Sequence, residues 1–366
     1  MPINVLGMIG VAPVGGATVH IVGGGIDREF LERFATIHER AGFDAVLVGY
    51  SSASADGFQV AQHCAHLTER LKFLVAHRPG FVAPTLAART AATFDNLTDG
   101  RLWLHIITGG FDAEQRRDGD FLTHDERYER TDEYLEVVRK TWTSATPFDH
   151  EGRYYKLARA YSEIRSVQQP HVPIWFGGLS DAAIRVGARH CDTFALFGEP
   201  RAAVQRSMAT IRAEAAKHGR APKFNVSFRP IIAATEAAAW EKARAILRGI
   251  EATSKPMRHV PEAENARRLV RLVEDGEVHD ERLWVSIAAA AGGSGNTTAL
   301  VGTPDQVADA IARYYALGVS GVLIRGFDPV ADAEEYGREL IPLIREKVAA
   351  MDRVAADRVG ANRERV

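Results

Sequence analysis

The chain has 366 residues, 46% of them hydrophobic and 25% charged, with a formal net charge of -2. That length and apolar content fit one large α/β barrel domain as well as two ordinary domains, and the near-zero charge gives no footing for nucleic acid or an anionic membrane as a partner. Two cysteines, Cys64 and Cys191, exclude a disulfide framework and a cysteine zinc site. No basic region precedes the first apolar run and no apolar run is long enough for a bilayer, so a cytoplasmic protein with reduced thiols is expected.

In chain order, Ile3 to Ile9 reads as a first strand. A glycine-rich loop follows, with Gly15-Gly16 and Gly23 to Gly25. It carries neither GxxxxGK before Ser or Thr nor a GxGxxG between strand and helix, so it gives phosphate binding little support. Asp27 caps a helix to Ala41 whose apolar face is Phe30, Leu31, Phe34, Ile37 and Ala41, and Gly42 ends it. Phe43 to Val48 is the second strand, Ser51 to Gly57 a polar loop at its C-terminal end, and Phe58 to Thr68 a helix.

Leu71 to Ala76 is an apolar run too short for a typical helix and reads as a buried strand. Pro84 opens a helix on Leu86, Ala87, Thr90, Ala91, Phe94 and Leu97; Asp99-Gly100 ends it. Leu102 to Ile107 is the next strand, interrupted by His105, and Thr108-Gly109-Gly110 turns the chain out. Strand, helix, strand is the crossover of a parallel sheet. The chain is then polar to Thr123, and Asp125 to Thr143 is an amphipathic helix.

His150 to Leu157 reads as a small outer hairpin, and Pro173 to Phe176 as a strand before Gly177-Gly178-Leu179-Ser180. Ser180 caps a helix from Asp181 to His190. Strand Thr193 to Phe197, helix Arg201 to His218 and strand Phe224 to Ile232 continue the alternation. From Thr235 the pattern loosens, and residues 251–298 read as a lid containing Arg258, Arg267, Arg268 and Arg271. A helix from Thr303-Pro304 to Leu317, strand Val322 to Ile324, a helix from Asp332 to Ala350 and a charged tail, 351–366, close the chain. Eight strands alternating with helices predict a (β/α)8 barrel over residues 1–350, with inserted segments after the seventh strand. An open doubly wound sheet is the rival; the absent dinucleotide fingerprint counts against its common form.

A histidine in an apolar strand is more often a satisfied core residue than a ligand. His105 gains weight from its place near the C-terminal end of a strand, where barrels do chemistry, and His77 follows a strand in the same way. His124 and Tyr128, four apart, share one face at a helix N-terminus, where free N–H groups and the dipole favour an anion. Ser180, after Gly177-Gly178, either caps its helix or holds a phosphate as well. Two such helix N-termini on one phosphate would describe a mononucleotide site such as FMN. No HExxH is present, and His63 and His66 lie on a helix with Cys64, so no metal is expected.

The stretch RLKFLVAHRPGFVAPTLAARTAATFDNLTDGR resembles the flavin-dependent alkanesulfonate monooxygenases of the bacterial luciferase-like superfamily. So do IITGGFD, HDERYERTDEYLEVVRKTW, VPIWFGGLSDAA, KHGR, TALVGTP and GRELIPLI, which together span nearly the whole chain. The resemblance implies a (β/α)8 barrel using reduced FMN and O2 on a small organic substrate, fed by a separate NAD(P)H:flavin reductase, in a homodimer or homotetramer. It places His124 and Tyr128 at the FMN phosphate, with Gly178, Leu179 and Ser180 in the second phosphate-binding turn, and Ala76, His77, His105 and Thr108 along the flavin ring.

On the substrate side the pattern departs. Ser54 stands where the sulfonate enzymes have cysteine, Ser227 and Ala291 where they have arginine, Arg229 where they have histidine, and Phe327 where they have tyrosine. Ser54 and Arg229 are the expected catalytic, substrate-side groups, and the substrate expected is other than a short alkanesulfonate. A deazaflavin (F420)-dependent oxidoreductase and a non-catalytic flavin-binding protein are the rival functions.

Overall fold

The computed structural model describes residues 3–14, 18, 19, 21–253, 264–293 and 297–363, and the side chains of all of these but 253, 265 and 358–363. Gly15, Gly16, Arg258 and parts of the expected lid, 254–263 and 294–296, lie outside the described residues.

The first half of the chain alternates β1 (Asn4–Ile9), α1 (Arg28–Arg40), β2 (Ala45–Val48), α2 (Gly57–Ala65), β3 (Lys72–His77), α3 (Pro84–Leu97) and β4 (Leu102–Ile106). There follow α4 (Asp112–Arg117), α5 (His124–Thr143) and the antiparallel hairpin of β5 (Phe148–Glu151) and β6 (Lys156–Ala160). Then come β7 (Ile174–Gly177), α6 (Asp181–His190), β8 (Thr193–Phe197), α7 (Arg201–Ala216), β9 (Lys223–Ile232) and α8 (Glu236–Thr253). The last part holds α9 (Glu264–Arg271), β10 (Val278–His279), β11 (Leu283–Trp284), α10 (Ser286–Ala290) and β12 (Ala299–Gly302). It ends with α11 (Pro304–Ala316), β13 (Gly321–Ile324), α12 (Pro329–Glu335), a π-helical turn (Tyr336–Leu340) and α13 (Ile341–Arg363), which runs well into the charged tail.

The eight expected strands close on themselves: β1, β2, β3, β4, β7, β8, β9 and β13 pair in parallel in that order, and β13 returns to β1. This is a (β/α)8 barrel. The long β9 serves two partners. Residues Asn225 to Phe228 pair with β13, and Arg229 to Ile232 pair with β12, which carries the small antiparallel extension β10–β11.

Leu6, Ala45, Leu74, Trp103, Trp175 and Leu323 form one buried cluster inside the barrel, with the Trp103 and Trp175 rings stacked at 5.1 Å. Side chains two apart on a strand share a face. Met8, Ala76, His105, Gly177 and Arg325 therefore form the next inward layer, at the C-terminal mouth. The outward faces pack on the helices in the main core, Phe73 against Phe94 and Phe176 against Tyr128 among them.

Candidate active site

Helix α5 starts where its sequence says it should. The Thr123 hydroxyl accepts from the Glu126 N–H, and the Glu126 carboxylate accepts from the Thr123 N–H, a reciprocal cap that fixes the first turn. From that turn His124, Tyr128, Thr131 and Tyr134 follow at helical spacing toward the strand ends. The His124 and Tyr128 rings lie 4.9 Å apart.

Helix α6 supplies the opposite wall. The Ser180 hydroxyl accepts from the Ala183 N–H at 3.3 Å and caps the helix. Gly178 has φ +123°, and a Cβ there would stand 2.9 Å from the Ala183 Cβ and 3.1 Å from the Tyr128 Oη. Only glycine lets the phenol lie this close over the turn. Burial raises the Tyr128 pKa and the Ser180 hydroxyl beside it opposes the rise, so the phenol stays protonated and able to donate. The structure thus brings His124, Tyr128, Gly178 and Ser180 together around two helix N-termini, while Leu179 packs on the core. Hydroxyl donors and open helix ends suit an anion of phosphate size.

The inward layer lies next to this turn. His105 is in register with Ala76 on one side and Trp175 on the other. Its ring approaches Gly177, where an added Cβ would sit 3.6 Å from Cε1. The His105 Nδ1 is buried without a hydrogen-bond partner, and burial pushes the imidazole pKa down to about 4, so the ring is neutral near pH 7. His77 is likewise held down at about 4 by burial, against the opposing pull of Asp56, and its Nε2 meets the Tyr134 hydroxyl at 2.7 Å. Thr131 donates its hydroxyl proton to the Arg127 carbonyl, so it accepts from Thr108 at 3.3 Å.

Two expected residues stand apart from this group. The Ser54 hydroxyl closes a turn with the Ser51 backbone, accepting from its N–H and donating to its carbonyl, both at 2.9 Å. Arg229 is fully buried, and its guanidinium donates to the carbonyls of Thr18 (2.8 Å), Val19 (2.5 Å) and Gly326 (3.2 Å) over the Phe327 ring. Those contacts pin the loop after β1. Arg127, near the start of α5, is buried: it donates to the Leu122 carbonyl and to Asp112, tying α4 to α5.

Three features of the mouth were not read from sequence. Arg325 follows β13 with its guanidinium against the Met8 sulfur and the Val19 carbonyl, and burial brings its pKa down to about 10. Arg78 lies 4.3 Å over the Tyr50 ring and pairs with Glu114 of α4 at 3.2 Å, clasping that helix to the barrel. Tyr134 was open to discovery by spacing alone, since it continues the stripe of His124, Tyr128 and Thr131.

Among the described residues no group of three or more His, Cys, Asp and Glu is placed to hold a metal, and no helix is long and apolar enough to cross a membrane. Solved structures share the whole architecture. A riboflavin lyase with modified FMN and riboflavin superposes with a TM-score of 0.76 at 20% identity, covering 95% of this chain and 92% of that one. EDTA monooxygenase from Chelativorans sp. BNC1 gives 0.76 at 21%, covering 95% and 94%. An F420-dependent secondary alcohol dehydrogenase with an F420–acetone adduct gives 0.67 at 15%, covering 94% and 100%. At such identities the likeness speaks for the fold. The family model for luciferase-like monooxygenases matches residues 8–321, most of the barrel and every residue gathered at its mouth from β1 to α6, and the chain belongs to that family.

Proposed function

We propose that the chain is a flavin-dependent monooxygenase that binds reduced FMN at the barrel mouth. The observation that carries this reading is the meeting of Tyr128 and Ser180 over Gly178 at a helix N-terminus, beside a buried His105 Nδ1 that lacks a partner. The residues fit the cofactor: a phosphate would take the Tyr128 and Ser180 hydroxyls, His124 and the free N–H groups of the turn. Ala76, His105 and Gly177 would hold the ring, and His77, on the outward face of its strand with Phe73, and Thr108 would back that wall. Bound reduced FMN would supply the two electrons that let one oxygen atom of O2 enter the substrate while the other leaves as water.

The chain's own groups bind, orient and keep water out. A neutral His105 offers Nδ1 as donor or acceptor to a ring heteroatom without placing a charge beside it. The Tyr134 hydroxyl fixes the His77 ring, and Thr131 fixes Thr108, so the wall is rigid before the cofactor arrives. On the substrate side Ser54 and Arg229 act by shaping the pocket, Arg229 through the loop it pins. Buried Ala291 and Phe327 and the Ser227 hydroxyl, 3.5 Å from the Leu196 carbonyl, replace the polar set of the sulfonate enzymes. That supports a small organic substrate, organosulfur or other, distinct from a short alkanesulfonate.

The described part of the 251–298 segment is anchored at the mouth by Arg268 to Glu199, just after β8, which supports its role as a lid. A separate NAD(P)H:flavin reductase and a homodimer or homotetramer belong to the same proposal. The test is binding: Tyr128→Phe and Ser180→Ala should each weaken reduced FMN by ~10-fold or more, the value of one charge-assisted hydrogen bond of ~1.5–3 kcal/mol. Unchanged affinity in both would remove this phosphate site.

A further inference from the structure

We propose that the cleft at the C-terminal ends of α5, α6 and α7 binds a phosphate-type oxyanion, free or as a small monoester. These helix ends lie at the opposite pole of the barrel from the mouth. A cavity of about 440 Å³ opens there, lined by Arg139, Lys140, Arg189, His190, His218 and Arg220 among others.

The local charges do not balance. Glu136 takes Lys140 at 2.7 Å and Arg189 at 3.4 Å; Asp132 takes Arg189 and, at 2.8 Å, His190; Asp192 takes Arg220 at 2.8 Å. Three carboxylates thus face four permanent cations, and among the described residues Arg139 has no ion pair within 4.0 Å. Burial first and the Arg220 guanidinium second hold the Arg139 pKa below its ordinary value, against the pull of Asp192. The Arg220 Nε and the His190 Nδ1 are buried without a hydrogen-bond partner, two further donors or acceptors left over in the same wall.

The plain alternative is that these cations serve the helix dipoles, since three C-terminal ends converge here. At α5 and α6 that role is already filled, by Arg165 and Arg220. In the last turn of α5 the carbonyls of Thr141 and Trp142 accept from Arg165 at 2.8 and 3.1 Å, with that of Ser144 beyond them. The Cys191 carbonyl, which ends α6, accepts from Arg220 at 2.9 Å. Among the described residues Arg139 makes no ion pair within 4.0 Å and donates to no helix-end carbonyl, with Asp192 acting on it only from farther off. An oxyanion between Arg139, Arg220 and the imidazoles would cancel the excess charge and engage the planar guanidinium fork. A cavity of this size also takes the rest of a small phosphomonoester.

Calorimetric titration of the full chain with inorganic phosphate and with AMP, at constant ionic strength set by chloride, tests this. Saturable binding with a Kd of ~1 mM or tighter is expected. It should weaken by ~10-fold or more in Arg139→Gln, and the component lost in that variant should persist in Ser180→Ala, whatever Ser180→Ala removes at the mouth, which separates the two sites. Arg139→Lys, keeping the charge and losing the fork, should bind at intermediate strength. Tighter AMP than phosphate would identify a monoester as the ligand; equal affinity would identify the free anion. Absence of saturable binding, or equal affinity in wild type and Arg139→Gln, would overturn the proposal; loss in Ser180→Ala alone would do the same.

Discussion

Gly178→Ala probes the turn on which the cofactor reading rests. The new methyl carbon would fall 2.9 Å from the Ala183 Cβ, closer than such carbons approach, and 3.1 Å from the Tyr128 Oη. The backbone there has φ +123°, a conformation costing an L-residue on the order of 1–3 kcal/mol. The chain can relieve both by pushing Tyr128 away from Ser180 or by rotating the turn, and either movement removes at least one phosphate contact. With one or two charge-assisted hydrogen bonds lost at ~1.5–3 kcal/mol each, reduced FMN should bind ~10- to 10,000-fold more weakly, and the melting temperature should fall by several degrees. Gly219→Ala is the matched control: its φ is +64° and nothing lies within 4 Å of an added Cβ, so it carries backbone strain without touching the site. Anaerobic flavin titration of both variants decides the matter. Equal FMN affinity in Gly178→Ala and Gly219→Ala would refute the assignment of the phosphate to this turn.

Three further outcomes are expected. Arg229→Met should strand the carbonyls of Thr18, Val19 and Gly326 and lower stability by ~3 kcal/mol or more, read from the urea midpoint; a stable variant with a purely substrate-related defect would mean that Arg229 contacts substrate after all. His77 and His105 have folded pKa values of about 4, below the unfolded value near 6.5, so the unfolded chain takes protons first. Their contribution, on the order of 3 kcal/mol each, is present above about pH 6.5 and is lost as the pH falls toward 4; His105→Gln should flatten the pH dependence of the urea midpoint in that window, and an unchanged slope counts against a buried neutral ring. The 251–298 segment should be cut by protease in the free protein and protected with flavin and substrate bound; identical cleavage rates in both states would remove the lid.

Much of the barrel was legible because most of its strands are short apolar runs bounded by turn residues, as at Asp99-Gly100 and Gly177-Gly178. What escaped has specific causes. The six residues of α4 are too few to show a helical period. Helix α8 is built largely from alanine and charged residues, so its contrast between faces is weak, although Ala239, Ala243 and Ile250 are buried against Trp284 and Ile287. Pairing of β12 with the far half of β9 depends on a partner about seventy positions away, which no local pattern announces.

At the site, helix-end chemistry carried furthest. Ser180 as a cap and the four-residue spacing of His124 and Tyr128 are local properties, and the structure sets them around one turn. Arg229 shows the limit. Its position near the end of the seventh barrel strand is readable, but the carbonyls that accept from its guanidinium come from residues far off in sequence. A long cationic side chain can serve a ligand or a loop equally well by its residue type. Arg325 is hidden from the sequence for a similar reason: it follows the last strand as one more charged residue, and only barrel closure brings it against Met8.

The most direct measurement is an anaerobic equilibrium titration of the purified chain and of Tyr128→Phe with reduced FMN, run beside reduced deazaflavin F420. Saturable binding of reduced FMN, weaker by ~10-fold or more in Tyr128→Phe and tighter than that of F420, is the expected result. No binding of reduced FMN, or tighter binding of F420 with indifference to Tyr128, would contradict the assignment of this barrel mouth to a reduced-flavin monooxygenase.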